Sequence, residues 1–254
     1  MENQIFNESC MDTMSRMGDC SIDLIVTSPP YFNAREYSQY DTLKDYLNEM
    51  RLIFTELFGV LKESRFCALN ISPVLIPRES RSHESRRIPL PSHLVVLLDE
   101  IGFQFMEDIV WVKPEGSAFN RGGRSFSMHR RPLTYKPTII TEYIFVFKKP
   151  APRNIEHYTK EGSQIETSYE RTNVWRMNPE THSQHTAPFP ETLPYKLIKY
   201  YSYEGDLVYD PFLGSGTTAK VAKQLKRKYV GSEIHEKYFK ISQKRIEETQ
   251  EYFF

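Results

Sequence analysis

The chain has 254 residues, enough for one α/β domain with a full hydrophobic core, or one such domain carrying a modest insertion. Apolar residues at 39% and charged residues at 26% describe an ordinary globular chain, and no apolar run approaches the ~20 residues a membrane span needs. The formal net charge is zero, which at first argues against a nucleic-acid partner.

The opening residues MENQIFNESCMD carry acids rather than a basic stretch followed by an apolar one, so no signal peptide is expected. Asp23 to Val26 is a short apolar run stopped by Ser-Pro-Pro and reads as a buried strand. From Leu43 to Lys62 the apolar residues recur at helical spacing, which predicts an amphipathic helix. Phe66 to Ile71 follows as a strand. Pro73 to Pro91 holds four prolines and reads as a loop, and His93 to Glu100 as a helix stopped near Gly102. Asp108 to Val112 and Ile139 to Phe147 are rich in β-branched and aromatic residues and read as strands. The stretch between them has no periodicity, and neither has Pro150 to Pro190. Beyond it the pattern predicts a helix at Leu193 to Tyr201, a strand at Leu207 to Tyr209, a helix from Thr217 to Lys226, a strand at Tyr229 to Glu233 and a last helix from Glu236. Strands alternating with helices imply an α/β fold with a mixed, mostly parallel sheet covered by helices on both faces.

The charge is unevenly spread. Between Trp111 and Lys160 ten Lys or Arg stand against three acids, a net +7, which leaves −7 for the rest of the chain. A basic segment on an acidic body fits a phosphate-binding face, and equally a solvated loop. The three cysteines form no Cys-x-x-Cys pair, so a reducing, cytoplasmic compartment is expected. The seven histidines lack Cys or carboxylate partners at ligand spacing, so no metal is expected.

Residues 208–218 read VYDPFLGSGTT. A strand ends at Asp210, a Gly-Ser-Gly turn follows and a helix opens, which lets backbone N–H groups and a helix N-terminus face a cofactor. The three-glycine dinucleotide spacing is absent, and so is the lysine of a phosphate-cradling loop. Glu233 ends the next strand, 17 residues after Gly216, where an acid can take the hydroxyls of a ribose. A second short motif, TSPPY at 27–31, directly follows the first strand.

Together these segments resemble the amino-DNA methyltransferases. DPFLGSGTT with YVGSEI is similar to that family's cofactor turn and TSPPY to its catalytic motif, while IVWVKP, TEYIFVFKK and HTAPFPETLPYKLI carry the likeness through most of the chain. The catalytic motif precedes the cofactor turn, the circularly permuted order of the family's β group. The resemblance implies a Rossmann-like S-adenosylmethionine-dependent methyltransferase fold in one domain, residues 1–254. Segments 113–136 and 150–185 would be inserted for target recognition. It implies S-adenosylmethionine contacts at Asp210, Pro211, Phe212, Gly214, Ser215, Gly216, Thr217 and Glu233, and at Phe189 and Pro190 toward the methionine end. The family's Asp before a Cys near the N-terminus, at the adenine of the cofactor, is replaced in NESCMD by Ser9, so either Ser9 or Asp12 would serve there.

The same resemblance makes Ser28, Pro29, Pro30 and Tyr31 catalytic. An exocyclic amine is a poor nucleophile because its lone pair is conjugated into the ring. Ser28 Oγ and the Pro29 carbonyl would accept its hydrogens, and Tyr31 would stack on the base after it leaves the duplex. Within the family a leading Ser favours cytosine N4 over adenine N6. Serine can also donate, so it can read cytosine N3 or relay a proton. Double-stranded DNA is the implied partner, with Arg121, Arg124, Arg130, Arg131 and Lys136, and Arg86 and Arg87 of a second basic loop, as DNA-binding candidates. A cognate restriction endonuclease and a homodimer stay open as partners. An N6-adenine enzyme, a methyltransferase acting on RNA or protein glutamine, and a catalytically silent DNA-binding subunit stay open as alternative functions.

Overall fold

The computed structural model describes residues 1–33, 39–77, 80, 85–115, 137–151, 169–180 and 189–250. In chain order these form β1 (Gln4–Phe6), α1 (Cys10–Met14), β2 (Ile22–Thr27), α2 (Leu43–Val60), β3 (Leu61–Ile71), β4 (Val74–Ile76), β5 (Arg86–Ile88), α3 (Leu90–Ile101), β6 (Gln104–Val112), β7 (Thr141–Lys148), β8 (Val174–Arg176), α4 (Thr192–Tyr201), β9 (Leu207–Asp210), α5 (Thr217–Gln224), β10 (Lys228–Ser232) and α6 (Glu236–Glu247).

Eight strands make one sheet in the order β1-β10-β9-β2-β3-β7-β6-β8. Only β7 is antiparallel to its neighbours, so the sheet is mixed and mostly parallel. β2 is buried at every position. Because strand side chains alternate between faces, its two faces feed two cores. Ile25, with Cys67, Leu69, Phe145 and Phe147, packs on Tyr46, Met50, Phe54 and Leu57 of α2 and Leu94 and Leu98 of α3. Leu24 and Val26, with Ala68, Ile144 and Val146, pack on Leu193, Leu197 and Ile198 of α4 and Val221 and Ala222 of α5. Each such side chain contributes roughly 1.5–3 kcal/mol by leaving water.

Local chemistry sets the helix ends. α2 opens on a capping box in which Asp45 N–H donates to Thr42 Oγ1 (3.2 Å) and Thr42 N–H to Asp45 Oδ2 (3.1 Å). Its C-terminal carbonyls are collected by Lys149 Nζ, which donates to Phe58 O at 2.7 Å and Leu61 O at 2.8 Å. α3 begins at Leu90 rather than at His93, because Pro91 fits a first turn that needs no N–H. It ends on Gly102 at φ 115°.

Five elements, β1, α1, β4, β5 and β8, lie outside the sequence expectations. β1, α1 and β8 are three to five residues long, too short to show a period. The stretch from Pro73 to Pro91, read as a loop, contains the β4–β5 ladder with Val74 opposite Ile88. β8, from within the expected insert 150–185, joins the main sheet beside β6.

The position of the site follows from the topology. From β2 the chain crosses by α2 to β3 on one side, and from β9 by α5 to β10 on the other. β2 and β9 are parallel neighbours, with Leu24 opposite Val208 and Ile25 opposite Tyr209. Their C-terminal ends therefore flank a crevice at the point where the strand order reverses, the usual ligand position in open α/β sheets.

Candidate active site

TSPPY leaves the end of β2 and DPFLGSGTT leaves the end of β9, so the pairing of two central strands sets the motifs side by side. A direct bond fixes them: Thr27 Oγ1 donates to Asp210 Oδ1 at 2.7 Å. Asp210 Oδ1 also accepts from Phe212 N–H (3.1 Å), and Oδ2 accepts from Thr218 Oγ1 (2.7 Å). Asp210 is 1% exposed, and burial pushes its carboxyl up to about 6 against the pull of those donors.

Between the motifs lies a cavity of about 650 Å³, within the ordinary range for a small-molecule site. Ser28, Pro29, Pro30 and Tyr31 line it, as do Pro211, Phe212, Gly214, Ser215, Thr217, Glu233 and Phe189. Asp210, Gly216 and Pro190, expected as cofactor contacts, are not among the lining residues. Asp210 is spent on the clasp between the motifs. Gly216, at φ 83°, faces α6, where an added Cβ would come within 2.7 Å of Ser242 Cβ. Glu233 accepts from Gly214 N–H through Oε2 and from His235 N–H through Oε1, both at 2.8 Å. Burial nevertheless raises its carboxyl above the usual range. Each of its oxygens has a further lone pair for a ligand hydroxyl. Ser9 caps α1 by accepting from Met11 N–H at 3.2 Å and lines the cavity, whereas Asp12 does not.

The structure adds residues that the motifs did not indicate. Asn70 at the end of β3, Glu142 at the start of β7, and Trp111 and Lys113 at the end of β6 line the cavity beside Tyr31. Tyr31 Oη donates to Glu142 Oε2 at 3.2 Å, Asn70 Nδ2 donates to the same oxygen at 2.8 Å, and Lys113 Nζ donates to Glu142 Oε1 at 2.5 Å. Burial, and then the neighbouring Glu142, hold the Tyr31 phenol well above its ordinary value. Glu142 and Lys113 stand in segments already noted as family-like, TEYIFVFKK and IVWVKP, but only folding brings them to Tyr31. Lys113, placed by sequence in a target-recognition segment, is here the ion-pair partner of Glu142. Behind the cofactor turn, Arg245 of α6 donates to Ser215 O (2.9 Å), Ser215 Oγ (2.8 Å), Thr217 Oγ1 (3.2 Å) and Glu191 Oε1 (3.0 Å). It ties the turn to the start of α4 beside Phe189. Cys10 also lines the cavity, and burial raises its thiol to about 11, so it is present as a thiol and not a thiolate.

Arg121, Arg124, Arg130, Arg131 and Lys136 lie outside the described residues. Arg86 and Arg87 are exposed on β5, and Arg87 Nη2 donates to Pro137 O at 2.8 Å, so β5 is tied to the chain that leads into β7. Among the described residues no group of three His, Cys, Asp or Glu converges as a metal site, and no helix is long and apolar enough to cross a membrane.

With an α/β sheet of this order and two motifs meeting at its switch point, the chain belongs to the DNA methylase family of N6 and N4 amino-methyltransferases, whose pattern matches residues 22–244. It is 30% identical to the orphan methyltransferase M.BamHII of Bacillus amyloliquefaciens over 91% of this chain and 90% of that one. It is 30% identical to the type II beta methyltransferase M.BslI of Bacillus sp. (strain NEB-606) over 92% of this chain, which spans only 26% of that longer relative. Among solved structures it resembles the DNA modification methylase TTHA0409 of Thermus thermophilus complexed with S-adenosyl-L-methionine (TM-score 0.76, 23% identity, 96% and 93% of the two chains). It also resembles the cytosine-N4-specific PvuII DNA methyltransferase (TM-score 0.74, 20% identity, 96% and 86%).

Proposed function

We propose that this chain transfers the methyl group of S-adenosylmethionine to the exocyclic N4 of a cytosine extruded from duplex DNA. The observation that carries the reading is the single cavity shared by both motifs, whose strand ends are bonded through Thr27 and Asp210. The residues present fit the cofactor. Glu233 lines the cavity with one accepted bond on each oxygen, leaving acceptor capacity for a ribose diol, Phe212 offers an apolar side for a purine, and Ser215 and Thr217 stand at the entry to α5 for the methionine end. When bound, S-adenosylmethionine supplies an electrophilic methyl on a sulfonium. The other end of the cavity prepares the nucleophile. Ser28 Oγ and the Pro29 carbonyl accept the amine hydrogens, and proline holds that carbonyl rigidly. The Tyr31 ring stacks on the base, its phenol pinned by Glu142 so that its face is fixed.

Cytosine is favoured over adenine because residue 28 is Ser rather than Asp, and the likeness to a cytosine-N4-specific enzyme supports this. Segments 113–136 and 150–185 are proposed to read the target, with Arg121, Arg124, Arg130, Arg131 and Lys136 toward the DNA and Arg86 and Arg87 on the phosphates. The test is product analysis. Unmethylated duplex DNA is incubated with the protein and methyl-labelled S-adenosylmethionine, then digested to nucleosides and separated. N4-methylcytosine is expected. Label found only in N6-methyladenine overturns the choice of base, and DNA that binds but takes up no label overturns the transfer itself.

A further inference from the structure

We infer that Glu142 is the terminal proton acceptor of the transfer, reached from Ser28 through the Tyr31 phenol. The inference rests on the reading that the amine sits at Ser28 and Pro29. A serine hydroxyl is too weak a base to retain the proton that the methylated nitrogen must lose. With Ser instead of a carboxylate at position 28, a carboxylate reached through neighbouring hydroxyls is a better final acceptor than the serine itself. The geometry supplies one along an oriented chain. Ser28 and Tyr31 stand three residues apart on the same cavity wall, with the Ser28 side chain a polar neighbour of the Tyr31 phenol, and Tyr31 Oη donates to Glu142 Oε2 at 3.2 Å. Asn70 Nδ2 braces both ends, donating to Glu142 Oε2 at 2.8 Å and to Tyr31 Oη at 3.4 Å. Lys113 holds the other Glu142 oxygen, its Nζ lying 4.7 Å over the Trp111 ring. Asn70 Oδ1 is buried without a hydrogen-bond partner in a residue that lines the cavity, an acceptor that a base with an amino group would satisfy.

The step balances as follows. The amine lone pair forms the N–C bond while the C–S pair leaves with sulfur, and the nitrogen becomes cationic and strongly acidic. Its proton passes to Ser28 Oγ as the Ser28 proton passes to Tyr31 Oη and the Tyr31 proton to Glu142 Oε2. Ser28 and Tyr31 end unchanged, and Glu142 ends as the neutral acid beside Lys113. Glu142 touches no substrate atom and works through Tyr31, so it is a positioning residue. Among the described residues the other ionisable groups lining the cavity are Glu8, Cys10, Tyr40, Glu49, Glu180, Glu233, His235 and Tyr238, and Tyr46 acts on Tyr31.

Single-turnover methylation measured across about pH 5.5 to 9 tests the relay. Tyr31→Phe, which keeps the stacking face, and Glu142→Gln should each slow transfer roughly 10–100-fold. The double variant should be no slower than the slower single one, because the two act as a unit. Affinities for S-adenosylmethionine by calorimetry and for DNA by anisotropy should stay within about twofold, the changes being confined to the transition state. A readout independent of turnover is the alkaline absorbance titration of Tyr31, identified as the part lost in Tyr31→Phe and followed by stopped-flow pH jump. Glu142→Gln should lower its midpoint. If Lys113, left without its anion, unfolds that variant, Lys113→Met combined with Glu142→Gln carries the same expectations. Transfer by Tyr31→Phe at the wild-type rate and pH profile overturns the relay. A Glu142→Gln loss with the Tyr31 titration unmoved reduces Glu142 to scaffold and overturns it as well. Failure of the wild-type protein to methylate any DNA would instead overturn the proposed function.

Discussion

The residue types that promise chemistry in this sequence divide, on folding, into those that face the cavity and those that hold it in shape. Asp210 is of the second kind. Its two oxygens take up Thr27, Thr218 and the Phe212 N–H, and its removal would take their acceptor from all three, at roughly 1–3 kcal/mol for the buried Thr27 hydroxyl and less for Thr218, which keeps Val26 O, and for the part-buried Phe212 N–H. Cofactor affinity would then fall in Asp210→Ala because the turn loosens and not because a ligand contact is lost. Its ionisation offers a cleaner test. The folded value of about 6 lies above the ordinary 3.8, so the folded protein holds the proton more tightly than the unfolded chain does. The stability this group contributes is therefore fully present below about pH 4 and is lost as pH rises through about 6, on the order of 2–3 kcal/mol. Asp210→Asn removes the buried charge, and Thr218 Oγ1 can accept from the new amide while donating to Val26 O, 3.4 Å away. Denaturant unfolding at a series of pH values should show Asp210→Asn gaining on the wild type by about 2 kcal/mol between pH 4 and 6.5, then running parallel above. A constant difference across that range would mean that Asp210 titrates in the folded protein as it does in the unfolded chain.

At the level of elements, the cofactor turn is shaped from behind by α6. Gly216 is at φ 83°, and an added Cβ would stand 2.7 Å from Ser242 Cβ and 3.0 Å from Ser242 Cα. Gly216→Ala therefore combines left-handed backbone strain with overpacking, and about 2–4 kcal/mol of stability should be lost. Adding Ser242→Gly removes the nearer of the two contacts, so the pair should lose less than the sum of the singles by about 1 kcal/mol, measured as a double-mutant cycle in denaturant. Strict additivity would show that strain alone sets the cost. This packing also marks where the sequence stopped being readable. The two motifs were legible because proline and glycine punctuate strand ends and because apolar runs and helical spacing mark β2, α2, β9 and α5. The β1 strand, α1 and β8 were not, since three to five residues carry no period. The functions of Asp210, Glu142 and Arg245 were not legible either, because each depends on partners far along the chain: Thr27, Tyr31 and Ser215. DPFLGSGTT showed that the chain turns there, but not which of its residues would look inward.

Taken whole, the molecule mounts its candidate site on its most enclosed strands and its basic loop on its least enclosed ones. β2 lies in the middle of the sheet, buried at all positions and feeding both cores, and β9 is paired on both sides. β8 is an edge strand of three residues bonded only to β6, and β4–β5 stands apart from the sheet. Amides of β2 and β9 should exchange only through global unfolding, whereas those of β8 and of the β4–β5 ladder should exchange through local opening at least about 2–3 kcal/mol less costly. S-adenosylmethionine separates the two routes. At a concentration of about 100 Kd a ligand that binds only the folded state raises the cost of global unfolding by roughly 2.7 kcal/mol. Hydrogen exchange by mass spectrometry should then show that full slowing in peptides covering 22–27 and 207–210, and almost none in peptides covering 86–88 and 174–176. Equal slowing everywhere would mean that the edges open only with the core. No slowing at 22–27 would mean that the strand carrying Ser28 can open while the cofactor stays bound, which is incompatible with a site whose two halves are joined through Thr27 and Asp210.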